Sequence, residues 1–410
     1  MLNSRICRVL VAASAIAATG ALGVAAGAQQ GAEILKLGAP LAATGADARE
    51  GALAKQGYDL WADTVNARGG IKAGGKAYRI QIVYYDDQSK PQTSAELTDR
   101  LITQDHVAFL LGPYGSPATF ADAGIADKYK VPMVDANGAA AKIFEQGYKY
   151  IFGISSPAAD YAAAMLKAAV SLSPRPSTVA IITADDLFSL EVANGAKDWA
   201  DQNGLRVVYF QKYPVGTNDL SAALTAVKAA GADVLIGSGH LQESLLAMRQ
   251  AQGLEVNAKF FGFTVGPTTP DFVKALGTAA EYVFASSQWT PDVKYSGPLF
   301  GSTGQYSDAF TKRFGFEPDY HAANGSAGGL ALQLAIQNAG GIDREQVRNA
   351  LAALDVVTFY GRLKFNDKGF NTYKPMVTVQ IQHGKVVTVW PANVAAAKAI
   401  YPTPVWTARK

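Results

Sequence analysis

Short apolar runs alternate with amphipathic helical stretches along almost the whole chain. Ile34 to Gly38 reads as a strand. Ala54, Tyr58, Trp61 and Val65 then recur at helical spacing until Gly69-Gly70 stops the helix. Ile80, Ile82 and Tyr84 alternate in a second strand over 80–85, and Leu97 and Leu101 mark the next helix. Ala108 to Leu111 is continuous enough to be buried on both faces. Ser116 suits a helix N-cap and Pro117 the first helical position, and Val131 to Val134 is a fourth strand. This βαβα order predicts a mainly parallel sheet with helices on both faces.

The pattern then restarts. Helices are expected at 156–172, 187–203, 219–230 and 241–252, with Gly204 and Gly231 ending the second and third. Strands are expected at 178–183, 205–210, 232–236, 260–263 and 282–286. Helices return at 303–314, 322–338 and 343–354, the last opening with Asp343 and Gln346 at capping-box spacing. Segments 376–382 and 385–390 alternate around His383-Gly384, which reads as a β-hairpin. There is no repeat of fixed period, yet the two halves share an α/β architecture. No low-complexity linker separates them, which favours several short connections and a hinge.

The N-terminus changes the expected location. Arg5 and Arg8 precede a small, apolar run from Val9 to Ala25 that ends at Ala26-Gly27-Ala28. This is the layout of a secretory signal peptide, with cleavage expected after Ala28. A membrane anchor is the alternative, but the Ala- and Gly-rich run has a weak drive to remain in lipid. Cys7, the only cysteine, precedes the apolar run and is not placed as a lipoprotein cysteine. The mature chain would have no disulfide and no thiolate chemistry, which fits a bacterial periplasm. Cleavage removes two arginines and no acids, lowering the formal charge from +3 to +1. A chain so near neutrality has no general pull on nucleic acid or anionic membrane. The remaining 382 residues suit two domains, each with its own core.

Enzyme chemistry finds little support. His106, His240, His321 and His383 have no metal-ligand spacing, and no HExxH or cysteine cluster occurs. Gly70 to Lys76 resembles a phosphate loop, but Ala77 stands where Ser or Thr is needed and a strand follows instead of a helix. Asp86-Asp87 and Asp185-Asp186 read as turn residues, and there is no GxSxG elbow. No catalytic residue, metal or cofactor is expected.

The loop Gly112-Pro113-Tyr114-Gly115-Ser116-Pro117 points instead to binding. It follows a buried strand and opens a helix, at the sheet edge where open α/β folds hold ligands. Free N–H groups at such a helix start attract anions. Ser116 is therefore either a holder of a ligand carboxylate or an ordinary helix cap.

Several segments together resemble the branched-chain amino acid (Leu/Ile/Val-binding) family of periplasmic substrate-binding proteins of ABC transporters. They are Gly38 to Leu41, Val65 to Ile71, Tyr85 to Asp87, Gly112 to Ser116, Val131 to Met133 with Ala136 to Ala139, Phe359 to Gly361, and Phe365-Asn366. The resemblance implies the type I periplasmic binding protein fold: two Rossmann-like α/β lobes, a three-crossing hinge and a ligand trapped between them. It places a signal peptide at 1–28, one lobe at 29–154 and 288–372, and the other at 155–287 and 373–410. Ser116 matches the family serine that binds a ligand carboxylate. Tyr114 and Gly115 would line the same loop, Asn137, Gly138 and Ala139 the opposing one, and Phe188 a second-lobe aromatic position. The implied partners are a small-molecule ligand and a membrane permease; a monomer is the default.

The departures bear on the cargo. Ala139 stands where amino-acid binders of the family use threonine, and Thr264 where they use an acid for the α-ammonium. A buried ammonium without a carboxylate costs several kcal/mol. Asp185, Asp186 or Glu50 are possible substitutes. Arg49 suits either a carboxylate clamp or a solvated helix start. Trp289, Tyr114, Phe188 and Phe263 would make an aromatic-walled pocket. Hydrophobic amino acids and aromatic or other organic acids thus compete as ligands. A ligand sensor on the same fold is the alternative in another class.

Overall fold

The computed structural model describes residues 32–409, so the expected signal segment lies outside the described residues. Two sheets organise them. The first runs in the spatial order Ile71–Ala73, Lys76–Asp86, Glu33–Leu41, Phe109–Leu111, Met133–Asp135, Ile151–Gly153. Its neighbours pair in parallel except for the edge hairpin, Ile71–Ala73 with Lys76–Asp86. The second runs Lys385–Trp390, Val377–Gln382, Phe284–Ser287, Phe260–Phe263, Val234–Ser238, Thr178–Ala184, Arg206–Tyr213. The C-terminal hairpin is antiparallel, its strand Val377–Gln382 also pairs antiparallel with Phe284–Ser287, and the remaining pairs are parallel. Parallel strands need helical crossovers, which is why the apolar runs alternate with helices in both halves.

The expected hairpin turns at His383 and Gly384, both with positive φ (54° and 71°), as a two-residue turn requires. Two shorter hairpins had no signal of their own. One turns at Gly74-Gly75, the segment that mimics a phosphate loop, and the other pairs Asp355–Thr358 with Gly361–Lys364. Asp343 accepts from the Gln346 N–H, half of the expected capping box.

Helices Ala48–Ala67 and Tyr320–Ala339 cross at backbone contact. A Cβ on Gly57 would lie 2.1 Å from the Ala322 carbonyl oxygen, and one on Gly325 would lie 2.5 Å from that of Ala54. Ser326 Oγ donates to the Gly57 carbonyl at 2.6 Å. This crossing fixes where the N-terminal turn of Tyr320–Ala339 sits, and that turn carries site residues.

Within the described residues the chain passes between the two sheets near residues 155, 288 and 374. One polar network ties the three passages. Gln288 Oε1 accepts from the Ser156 N–H at 3.0 Å, and Ser156 Oγ donates to the Lys374 carbonyl at 2.7 Å. Lys374 Nζ donates to the Gln288 carbonyl and side chain and lies 4.4 Å from the Tyr360 ring centre. Lys374 is buried, and no carboxylate pairs with it among the described residues. Burial pulls its ammonium down to about 7. A depressed lysine leaves the unfolded chain binding more protons than the native one above that pH, so stability rises from about pH 7 towards 10. Against Lys374→Met, the native chain should gain about 1.4 kcal/mol per pH unit between pH 7 and 9. Urea midpoints at pH 7, 8 and 9 read this directly; a constant difference between the two proteins would mean the amine is not depressed.

Candidate functional site

The carboxyl ends of strands from both sheets converge on a small, partly open cavity of about 10 Å³. Tyr114, Asn137, His321 and Asn324 line it from elements on the first sheet, and Phe188, His240 and Val265 from loops following strands of the second. Tyr161 and Tyr320 complete the wall.

The Asn137 loop is built from below. Asp135 is fully buried and accepts from the N–H groups of Asn137 (3.1 Å) and Gly138 (2.7 Å). Burial pushes its carboxyl up to about 7 against the pull of these bonds. Ser116 Oγ accepts from the N–H groups of Ala139 (3.0 Å) and Ala140 (3.1 Å). Asn324 donates to the Ala136 carbonyl, Asn137 Oδ1 and Ser155 Oγ, joining the long helix to the same loop.

These bonds leave four groups with distinct roles. Asn137 Nδ2 is a buried donor and Asn324 Oδ1 a buried acceptor, and neither has a partner in the protein. His321 Nδ1 is held by Asp319 Oδ2, which leaves Nε2 unpartnered. That nitrogen accepts from a ligand hydroxyl when the ring is neutral, or donates to a carboxylate as imidazolium. The Tyr114 hydroxyl meets His240 Nδ1 at 2.9 Å. Burial opposes charge on His240, but Asp186, Asp47 and Glu243 outweigh it and hold the imidazole above its ordinary value. A charged His240 donates to the tyrosine oxygen, so the Tyr114 proton is free to point elsewhere. Among the described residues, no Asp or Glu lines the cavity.

Three of the expected residues, Tyr114, Asn137 and Phe188, form the wall. The others sit elsewhere. Ser116 does not cap its helix through its side chain; the helix starts at Ser116 with Gly115 before it, and the hydroxyl braces the facing loop. Gly115, Gly138 and Ala139 are not among the lining residues. Thr264 is turned towards Gly239, accepting from its N–H and donating to its carbonyl, and leaves the adjacent Val265 at the cavity. Arg49 reaches Asp271 on the other side of the cleft instead of a ligand. Trp289 donates to the Phe359 carbonyl and packs against Tyr306, outside this cavity, and Phe263 is buried in the core of the second sheet.

Tyr161, His240, Val265, Tyr320, His321 and Asn324 were not expected. The histidines lack metal spacing, which hid them. His240 nonetheless follows the continuous apolar strand Val234–Ser238 and opens a helix, the same arrangement that marks Tyr114.

A cavity walled from the carboxyl ends of two parallel sheets is where open α/β folds hold small ligands. The model of a family described as periplasmic binding protein matches residues 34–385. The chain belongs to that family. This binding protein is 26% identical over 395 residues to Leu/Ile/Val-binding protein homolog 7 of Brucella suis, covering 92% of this chain and 96% of that one. It superposes on a leucine-binding protein LivK from Thermotoga maritima with a TM-score of 0.78 at 22% identity, covering 87% and 98% of the two chains. A solute-binding protein of an ABC transporter from R. palustris, in complex with benzoate, superposes with a TM-score of 0.75 at 21% identity, covering 90% and 98%. The likeness to these solved structures shows the type I periplasmic binding protein fold. The family is one of solute-binding proteins and not of enzymes, and it places the chain in the periplasm. No helix among the described residues is long and apolar enough to cross a membrane.

Proposed function

We propose that this binding protein captures a small carboxylic acid with an aromatic or apolar body and no α-ammonium, and delivers it to an ABC permease. The carrying observation is the cavity wall. Its donors, Tyr114 and Asn137, suit a carboxylate, its rings suit an apolar body, and no carboxylate lines it to receive an ammonium. Structural neighbours carry isoleucine in one case and benzoate in another, so the fold admits both kinds of cargo and the wall chemistry favours the acid. The lobes would be 29–154 with 288–372 and 155–287 with 373–410, acting as a monomer after cleavage behind Ala28. Ligand bridging the lobes would favour the closed state that the permease reads.

Glu50 favours a second reading, an amino acid. It is fully buried, its Oε1 accepts from the Leu241 N–H across the cleft, and its Oε2 has no partner. Burial raises its carboxyl, however, which biases it towards the neutral form. Matched pairs separate the readings in a thermal-shift screen of residues 29–410: phenylalanine against 3-phenylpropanoate, and leucine against 4-methylpentanoate. The acids are expected to raise Tm and the amino acids to leave it unchanged. The reverse pattern would assign the ammonium to Glu50 and sink the acid reading.

A further inference from the structure

The cavity of about 10 Å³ is too small for a ring; benzene enters cavities on the order of 150 Å³. Interiors are packed like crystals, so a wall side chain moves readily only where a void lies behind it. Most of this wall is backed. Phe188 packs edge-on to Tyr161 (5.1 Å), Tyr114 packs between His240 and His321, and Asn324 is tied to Ala136 and Ser155 and holds Asn137 through its Oδ1. Tyr320 differs. Its ring packs against His321 (3.9 Å) and Tyr161 (6.4 Å) on one side, but on the other it lines a second cleft, of about 650 Å³. Val273, Phe316 and Val386 give that cleft an apolar face, with the buried Trp289 and Pro318 at its base. The Thr268 hydroxyl lines it as well, buried and without a partner.

We propose that Tyr320 is a movable partition and that the cargo is an arylalkanoic acid longer than one ring, its carboxylate beside Asn137 and its ring in the flank cleft against Val273 and Val386. This deepens the acid reading above and rests on it. The carboxylate head needs little room, which suits the small compartment. The chain passes through the position that the Tyr320 ring vacates. The aryl end replaces water against Val273, Phe316 and Val386, in the cleft that the Thr268 hydroxyl also lines and where it can bond a polar ring substituent.

The test compares benzoate with 4-phenylbutanoate by calorimetry on residues 29–410 and on Val386→Trp. Val386 lies on the exposed C-terminal hairpin, lines the flank cleft and is not part of the cavity wall. Each buried methylene favours binding by roughly fourfold, so 4-phenylbutanoate should bind at least about 10-fold more tightly than benzoate. Val386→Trp should erase that preference and leave unchanged the binding of benzoate, whose ring reaches no farther than the position that the Tyr320 ring vacates, which also shows that the variant is folded. Val386→Phe should act the same way to a lesser degree. Equal affinities, or a preference that survives Val386→Trp, would overturn the partition while the acid reading stands. Binding of neither acid would overturn both.

Discussion

Gly57→Ala is expected to destabilise the protein by about 3 kcal/mol, near the upper end for overpacking. The added methyl would meet the Ala322 carbonyl oxygen at 2.1 Å, and that atom belongs to the backbone of the facing helix. A flexible side chain would yield, but here two helices must separate. Gly253→Ala is the fitting comparison, because nothing lies within 4 Å of a Cβ at that helical position. It should be neutral or slightly stabilising, through a less flexible unfolded chain. Urea unfolding of both variants decides the matter; a loss below about 1 kcal/mol at Gly57 would show that the helix crossing is soft. The substitution should also weaken ligand binding, since the displaced helix carries His321 and Asn324 into the cavity wall.

The double variant Tyr114→Phe, Asn137→Leu should lose at least about 100-fold in affinity for the acid that the screen identifies. A hydrogen bond to a charged group contributes on the order of 1.5–3 kcal/mol, and two such bonds multiply to that factor. Both substitutions keep the approximate size of the side chain, so the wall is retained while its donors are lost. Tyr114→Phe also removes the partner of His240 Nδ1, and Asn137→Leu the acceptor for Asn324. Calorimetry gives the affinity, and a thermal melt without ligand shows whether the fold survives. Affinity within about threefold of the native protein would place the carboxylate elsewhere.

Much of the cavity was hidden from the sequence for a specific reason. Tyr114 and Asn137 announce themselves, because each follows a short apolar strand in a loop of turn residues. His240 and Val265 follow strands of the second sheet in the same way, and the rule that ligands sit at the carboxyl edge of a parallel sheet reaches them too. Asn324 and Tyr161 carry no such mark. They lie inside helices, on faces that periodicity assigns to the core, and face the cavity through the way those helices are docked. Ser116 shows the converse. Its position in a strand–loop–helix motif is legible, but whether its hydroxyl meets a ligand or a neighbouring loop depends on Ala139 and Ala140, 23 and 24 residues away.

The sequence by itself determined the class of fold and the family. Alternation of apolar runs with helical periods is a local property, and it dictates parallel strands with crossover helices wherever it recurs. Tertiary structure decided the chemistry of the site. The Tyr114–His240 contact spans 126 residues and the Asn324–Asn137 contact 187, and neither separation leaves a local pattern. It also decided that, among the described residues, no carboxylate lines the cavity and that Tyr320 borders a second cleft, because burial and voids belong to packed elements and not to any segment of chain.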